Sequence, residues 1–95
     1  MPYTMISHKI ANYAKWKRGV NAFAKVRKAA GEKSFYVARC AKNPNHVMVW
    51  CEWENTARLK KFLKSADLRK AMKGAGVISK PEIGIFKSME DLTAR

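Results

Sequence analysis

The sequence predicts an α+β fold whose elements follow one another as β-α-β-β-α-β. Apolar and polar residues nearly alternate in four short segments, and apolar residues recur with a helical period in two longer ones. Asn43-Pro44-Asn45 supplies turn chemistry between the two middle strands. Strands in this order form a four-stranded antiparallel sheet with both helices on one face, which is the ferredoxin-like arrangement.

The chain is small enough to fold as one unit. It has 95 residues, of which 47% are hydrophobic, so we expect a single domain over residues 1–95. No apolar run approaches the roughly 18–20 residues of a membrane span, and the N-terminal MPYTMISHKI lacks the pattern of a signal peptide. These features predict a cytoplasmic protein without a membrane partner.

The first strand and the first helix are predicted because the spacing of apolar residues changes from alternation to a helical period. Residues 3–10 alternate, with Ile6 and Ile10 on one face, and Asn12 is a candidate N-cap for a helix over residues 13–30. The inward stripe of that helix consists of large or aliphatic side chains, Tyr13, Trp16, Val20, Phe23 and Ala30. Gly31 follows where a left-handed C-cap is needed.

The middle strands, residues 34–42 and 46–53, form a predicted hairpin whose register decides which side chains share a face. A four-residue loop over 43–46 would pair Lys42 with Val47 and Arg39 with Trp50. The face toward the helices would then carry Tyr36, Ala38, Cys40, Val47, Val49, Cys51 and Trp53. The opposite face would carry Phe35, Val37, Arg39, His46, Met48, Trp50 and Glu52. Both cysteines are expected to be reduced thiols.

The second half of the chain predicts two helical segments and a last strand. Asn55 or Thr56 caps a helix that runs to about residue 64. Ser65 caps a continuation over 66–75, and residues 82–87 form the fourth strand.

The sheet face without helices would be too apolar to remain in water. It would show Met5, Phe35, Val37, Met48, Trp50 and Phe86. A second copy of the same face is the simplest cover, so the sequence predicts a homodimer. Its interface residues would be Met48, Trp50, Arg39 and Glu52, the last two as a diagonal ion pair or, alternatively, as part of a polar cluster.

Four segments carry a resemblance to a known family: HKIANYAKWK, RKAAGEKSF, NPNHVMVWCEWEN and LKSADLRKAMKGAGVISKPEI. From about His8 to Phe86 the chain resembles the dimeric α+β barrel superfamily, in particular small proteins like the antibiotic biosynthesis monooxygenases. The resemblance implies that two sheets face each other in a barrel and that a ligand sits between sheet and helices. Some members are cofactor-free oxygenases of aromatic compounds, so no cofactor is expected. The Asn, Trp and His set shared by haem-degrading members has no clean equivalent here, because Ser7 and His8 stand on the first strand.

His8 is the candidate catalytic residue, because it interrupts an apolar strand face and can act as a general base near neutral pH. The candidate ligand-binding walls are Tyr13, Trp16, Tyr36 and Trp53. The structural alternative is a buried histidine bonded to the backbone or to Tyr13, among aromatic residues that fill the core. No metal site is expected, since the histidines and cysteines lack ligand spacing.

Lys and Arg outnumber Asp and Glu by 20 to 7, which gives a formal charge of +13. Most of these basic residues fall in the helical segments, which predicts at most weak, nonspecific nucleic-acid binding. The alternative is a solvated helix surface. RNA-recognition modules share the element order, but the third strand here, HVMVWCEW, lacks their Gly and aromatic pattern.

Three functions stay open from the sequence. The first is a homodimer that binds a small hydrophobic or aromatic ligand, as a cofactor-free monooxygenase or without chemistry of its own. The second is a non-catalytic structural or regulatory dimer, and the third is a basic nucleic-acid-binding domain.

Overall fold

The computed structural model describes all 95 residues and confirms the predicted order of strands and helices. In chain order the elements are β1 (Tyr3–Lys9), α1 (Tyr13–Ala22), α2 (Ala24–Ala29), β2 (Glu32–Arg39), β3 (His46–Trp53), α3 (Thr56–Leu63), α4 (Ala66–Gly74) and β4 (Glu82–Phe86). The strands form one antiparallel sheet in the order β2-β3-β1-β4. Every helix is too short or too polar to cross a membrane.

Polar side chains fix where three of the helices begin. The side-chain oxygens of Asn12, Asn55 and Ser65 each accept a hydrogen bond from the backbone N–H three residues further on. Gly31 and Gly76, at φ 108° and 83°, follow α2 and α4 in the left-handed region that glycine enters without steric cost. The N-cap prediction at Asn12 and the C-cap prediction at Gly31 are both confirmed.

The predicted helix over residues 13–30 is two helices, because the chain bends at Phe23. Phe23 has φ −90° and ψ 0°, and its ring centre lies 6.0 Å from that of Phe62, so the break falls where an aromatic side chain anchors the segment to α3. Gly19 serves a close approach of helices. A Cβ at this position would stand 2.8 Å from the Cβ of Ala75, at the end of α4.

The core lies between the sheet and the helices. It consists of the buried apolar residues Ile6, Ile10, Trp16, Val47, Val49, Cys51, Trp53, Leu59, Phe62 and Ala75. Because β1 and β3 contribute alternate residues to this face, their remaining side chains form the opposite face of the sheet, which we call the open face.

The register of the β2–β3 hairpin differs from the predicted one by an odd number of residues. Arg39 pairs with Val47, and Tyr36 pairs with Trp50. The connection spans residues 40–45 instead of 43–46, because β2 ends at Arg39, earlier than predicted. A shift by an odd number reverses the two faces of a strand, so every side chain of β2 lies on the face opposite to its prediction.

Several predicted placements on β2 are therefore wrong. Tyr36 lies on the open face and not with the core. Arg39, Phe35 and Val37 lie on the helix face, so Arg39 forms no ion pair with Glu52. The two cysteines do not share a face either, since Cys40 is exposed and Cys51 is buried, and both are free thiols.

A buried ion pair joins the end of α2 to the start of β2. Arg27 Nη1 donates to Glu32 Oε1 at 2.6 Å, and only 10% and 9% of the two side chains are exposed. Arg27 Nη2 donates to the carbonyl of Val20 at 3.0 Å, and the guanidinium lies 4.2 Å from the ring centre of Phe35. The pair therefore ties the turn at Gly31 to the core.

Replacing Glu32 with Gln should destabilise the protein by about 3–5 kcal/mol, because the buried guanidinium of Arg27 then lacks its counter-charge. Glu54→Gln is the matched control. Glu54 accepts from Arg58 at the same 2.6 Å, but the Arg58 and Glu54 side chains are 42% and 47% exposed, so we expect a loss of less than about 1 kcal/mol. Urea unfolding followed by circular dichroism measures both changes, and equal losses would contradict this assignment.

Candidate functional site

His8 lies on the core face of β1, one residue before the strand ends. Its backbone pairs with Val47, and strand alternation places its side chain between Ile6 and Ile10 on the helix face. Only 5% of the residue is exposed, and neither ring nitrogen has a hydrogen-bond partner. The structural alternative, in which His8 bonds to the backbone or to Tyr13, is therefore not observed.

An unpartnered buried imidazole lowers the stability of the fold. Each buried donor or acceptor left unsatisfied costs about 1–3 kcal/mol. Burial lowers the pKa of His8 below its usual 6.5, and the charge of His46 lowers it further. The ring is therefore neutral at neutral pH, with one donor nitrogen and one acceptor nitrogen free for a ligand.

Side chains from α1 and β2 stand over His8. Trp16 is 4% exposed and meets the imidazole edge-on, with 5.9 Å between ring centres. Tyr13 lies 5.7 Å from Trp16 between ring centres, and the Arg39 guanidinium lies 3.9 Å above the centre of the Tyr13 ring. We call this continuous stack of Arg39, Tyr13 and Trp16 the lid. It runs from Arg39, which is exposed, to His8 in the core.

Trp53 and Tyr36, the other two predicted walls, do not join His8. Trp53 lies six residues along β3 from Val47, the partner of His8. Its indole N–H donates to Thr4 Oγ1 at 3.1 Å. Tyr36 is 69% exposed on the open face. The predicted site therefore divides, with Tyr13 and Trp16 beside His8 and the other two elsewhere.

A second buried polar cluster was not predicted. It contains Arg27, Glu32, Cys51 and Thr4. Burial raises the pKa of Glu32 above 4.5 although Arg27 lowers it, and burial followed by the Glu32 charge raises the pKa of Cys51 to about 12. A thiol with so high a pKa stays protonated and is a poor nucleophile. One signal was available in the sequence, since Arg27 continues the inward stripe four residues after Phe23.

The open face has an apolar centre. Met5 lies opposite Trp50 and Gly84, and the ring centres of Trp50 and Phe86 are 5.9 Å apart. Met48 lies on the same face and is 36% exposed. A groove of about 490 Å³ crosses this face and is lined by Tyr3, Ser34, Tyr36, Trp50, Cys51 and Met89.

Two pairs of polar side chains on the open face are hydrogen-bonded within the chain. The Tyr3 hydroxyl donates to Glu52 Oε2 at 2.6 Å, and this bond is the main cause of a raised pKa for Tyr3. Ser7 Oγ and His46 Nε2 are 2.7 Å apart. No group of three or more His, Cys, Asp or Glu side chains comes together in a way that could hold a metal ion.

The sequence model of the antibiotic biosynthesis monooxygenase family matches residues 4–74. Among solved structures, the chain is similar to a protein of Bordetella bronchiseptica assigned as an antibiotic biosynthesis monooxygenase, with 18% identity and a TM-score of 0.76 over 94% of this chain and 97% of that one. It is also similar to SnoaB, a cofactor-independent oxygenase from Streptomyces nogalater, with 14% identity and a TM-score of 0.74 over 98% of each chain. No curated protein matches the chain.

At these identities the structural likeness shows the fold alone. The family model, in contrast, spans most of the chain, including β1 with His8 and all four helices. The protein therefore belongs to the antibiotic biosynthesis monooxygenase family.

Proposed function

We propose that the protein is a homodimer that binds a small aromatic ligand beside His8 and oxygenates it without a cofactor. The observation that carries this proposal is the pair of buried, unpartnered nitrogens on His8. A core position gains nothing from leaving both atoms unsatisfied, so they indicate a ligand that supplies a proton donor or acceptor. Family membership and the likeness to a cofactor-independent oxygenase point the same way.

Oxygenation without a cofactor needs a neutral general base in a site from which water is excluded. His8 takes the proton of an acidic phenol and leaves an electron-rich phenolate. The phenolate reacts with O₂ at an unsubstituted ring carbon to give a hydroperoxide, which loses water to give a quinone. One phenol and one O₂ thus give one quinone and one H₂O, with oxygen as the only oxidant. The aromatic side chains of the lid, Tyr13 and Trp16, exclude water from the anion.

The open face is proposed as the dimer interface. A chain of charge +13 repels its own copies, and the open face carries two carboxylates, Glu52 and Glu82, beside the cation Lys9, which reduces that repulsion where two open faces meet. Met48 and Trp50 stay in this proposed interface together with Glu52. Arg39, which the sequence predicted in the interface, is not part of it because Arg39 lies on the other face of the sheet.

Replacing His8 with Ala should abolish oxygen uptake on a suitable polycyclic phenol, with a rate loss of about 100-fold or more, as expected for removal of a general base. An oxygen electrode measures uptake across a panel of such phenols. Val26→Ala is the control, since Val26 is 43% exposed on α2, outside both the His8 site and the open face. Equal rates in wild type and His8→Ala would remove His8 from the mechanism. A panel with neither uptake nor binding would favour the non-catalytic dimer.

The lowered pKa of His8 predicts a pH dependence of stability. The unfolded chain binds a proton on His8 below about pH 6.5, while the folded chain does so only at lower pH. The free energy of unfolding should therefore fall as the pH drops through this window, by up to about 1.4 kcal/mol per pH unit. His8→Phe should remove this part of the slope, as measured by urea unfolding between neutral and mildly acidic pH. An unchanged slope would mean that His8 titrates normally in the fold.

Replacing Trp50 with Glu should convert the dimer into monomer or aggregate, because it places a charge in a desolvated interface. Val26→Glu is the control, since Val26 is 43% exposed on α2, away from the open face. Light scattering gives the mass of each variant. A stable Trp50→Glu dimer would refute this interface.

A further inference from the structure

The basic residues are concentrated on one layer of the molecule. Each of the four helices carries three Lys or Arg, and Asp67 is the one acidic residue among them. Of these twelve basic residues only Arg27 is buried. All four helices lie on the same side of the sheet, so the exposed cations form one surface, which we call the cationic layer.

Only part of the charge of this layer helps the fold, namely the cations in the last turns of α2, α3 and α4, which the helix dipole favours. Like charges three or four residues apart on a helix destabilise it by about 0.2–0.5 kcal/mol per pair. Such pairs occur on α2 at Lys25 and Lys28 and on α4 at Arg69 and Lys73. Only one exposed cation of the helices, Arg58, is in an ion pair with an acid. A surface on which all but one of the exposed cations lack an acidic partner within the chain points to a partner outside it.

We infer that the cationic layer binds the phosphate backbone of double-stranded nucleic acid without reading its sequence. The chain measures 34 × 34 × 21 Å, so the layer can follow about one turn of a duplex, which carries one negative charge for every ~1.7 Å of its axis. Neutralising several phosphates releases counterions, and that release supplies the free energy of binding. This inference is independent of the proposed oxygenation, because it uses none of the residues around His8.

The side chains of the layer favour a duplex over other polyanions. Binding to single strands relies on exposed aromatic rings that stack on bases. The aromatic residues of the helices are Tyr13, Trp16 and Phe62, and none of them is exposed. Insertion into an anionic membrane needs exposed apolar side chains, and Val26 is the one large exposed hydrophobic residue on the helices.

The test compares two triple variants that carry the same reduction in charge. Lys17→Gln, Lys28→Gln and Lys70→Gln change three helices of the layer. Lys9→Gln, Lys42→Gln and Lys80→Gln change three exposed lysines outside the helices. Gln is a good helix former, and circular dichroism verifies that both variants fold. Fluorescence anisotropy then measures binding to a labelled DNA duplex of about 20 base pairs, long enough for two helical turns, over a range of salt concentrations.

We expect the wild type to bind with a dissociation constant in the micromolar range at low salt, and to bind more weakly as salt rises, with a steep dependence. The layer variant should show a salt slope smaller by about 0.9 for each phosphate that it no longer neutralises, while the control variant keeps most of the wild-type slope. Equal reductions in both variants would show that only net charge matters and would overturn the assignment. The assignment would also be overturned if the wild type does not bind the duplex at about 50 mM salt, or if it binds a single strand or anionic vesicles more tightly than the duplex.

Discussion

The structure depends on one constraint, which is that a four-stranded sheet has two faces and this chain has helices for only one of them. β1 lies between β3 and β4, and its alternation sends Thr4, Ile6 and His8 to the covered face and Met5 and Ser7 to the open one. The core, the open face and the cationic layer all follow from this division. Each surface has its own chemistry because the backbone sorts neighbouring residues to opposite sides.

Arg27 and His8 are both buried on the covered face, and they differ in how many of their nitrogens are hydrogen-bonded. Arg27 pairs with Glu32 across the turn after α2 and donates to the carbonyl of Val20, so that only its Nε lacks a partner. His8 has no partner at either ring nitrogen, and the neighbouring Trp16 meets its ring edge-on without a hydrogen bond between them. This contrast within one core supports the proposal that His8 is kept for a ligand.

Sequence reasoning succeeded where the signal is local. The caps at Asn12 and Gly31 and the stripe through Trp16 depend on residues close together in the chain, and all three lie where the pattern predicts. It failed on β2, because the face of a strand depends on the pairing register: the turn closes over 43–46 as predicted, with the His46 N–H donating to the carbonyl of Asn43, but the strands pair Arg39 with Val47. Because of that single error, Tyr36 and Arg39 were each predicted on the wrong face of the sheet.

The candidate site shows the same limit. His8, Tyr13 and Trp16 come together because β1, which carries His8, leads through a short connection into α1, which carries the two aromatic residues. Arg39 reaches the same place from β2, which only the three-dimensional register reveals. The Arg27–Glu32 pair was missed for a related reason. Arg27 continues the inward stripe of the helix, but the stripe is recognised by its apolar residues, and a charged residue on it does not count toward that pattern.

The separation of the helices from the open face has a consequence for valency. If two copies join through their open faces, their helices point outward in opposite directions, and the particle carries two equivalent cationic layers. Such a particle is bivalent toward a long polyanion. Two weak contacts made at once hold far more firmly than either contact alone, provided that the geometry lets both engage. One particle could then hold two distant segments of a polymer together while each of its surfaces exchanges freely, which is the behaviour of a dynamic cross-linker.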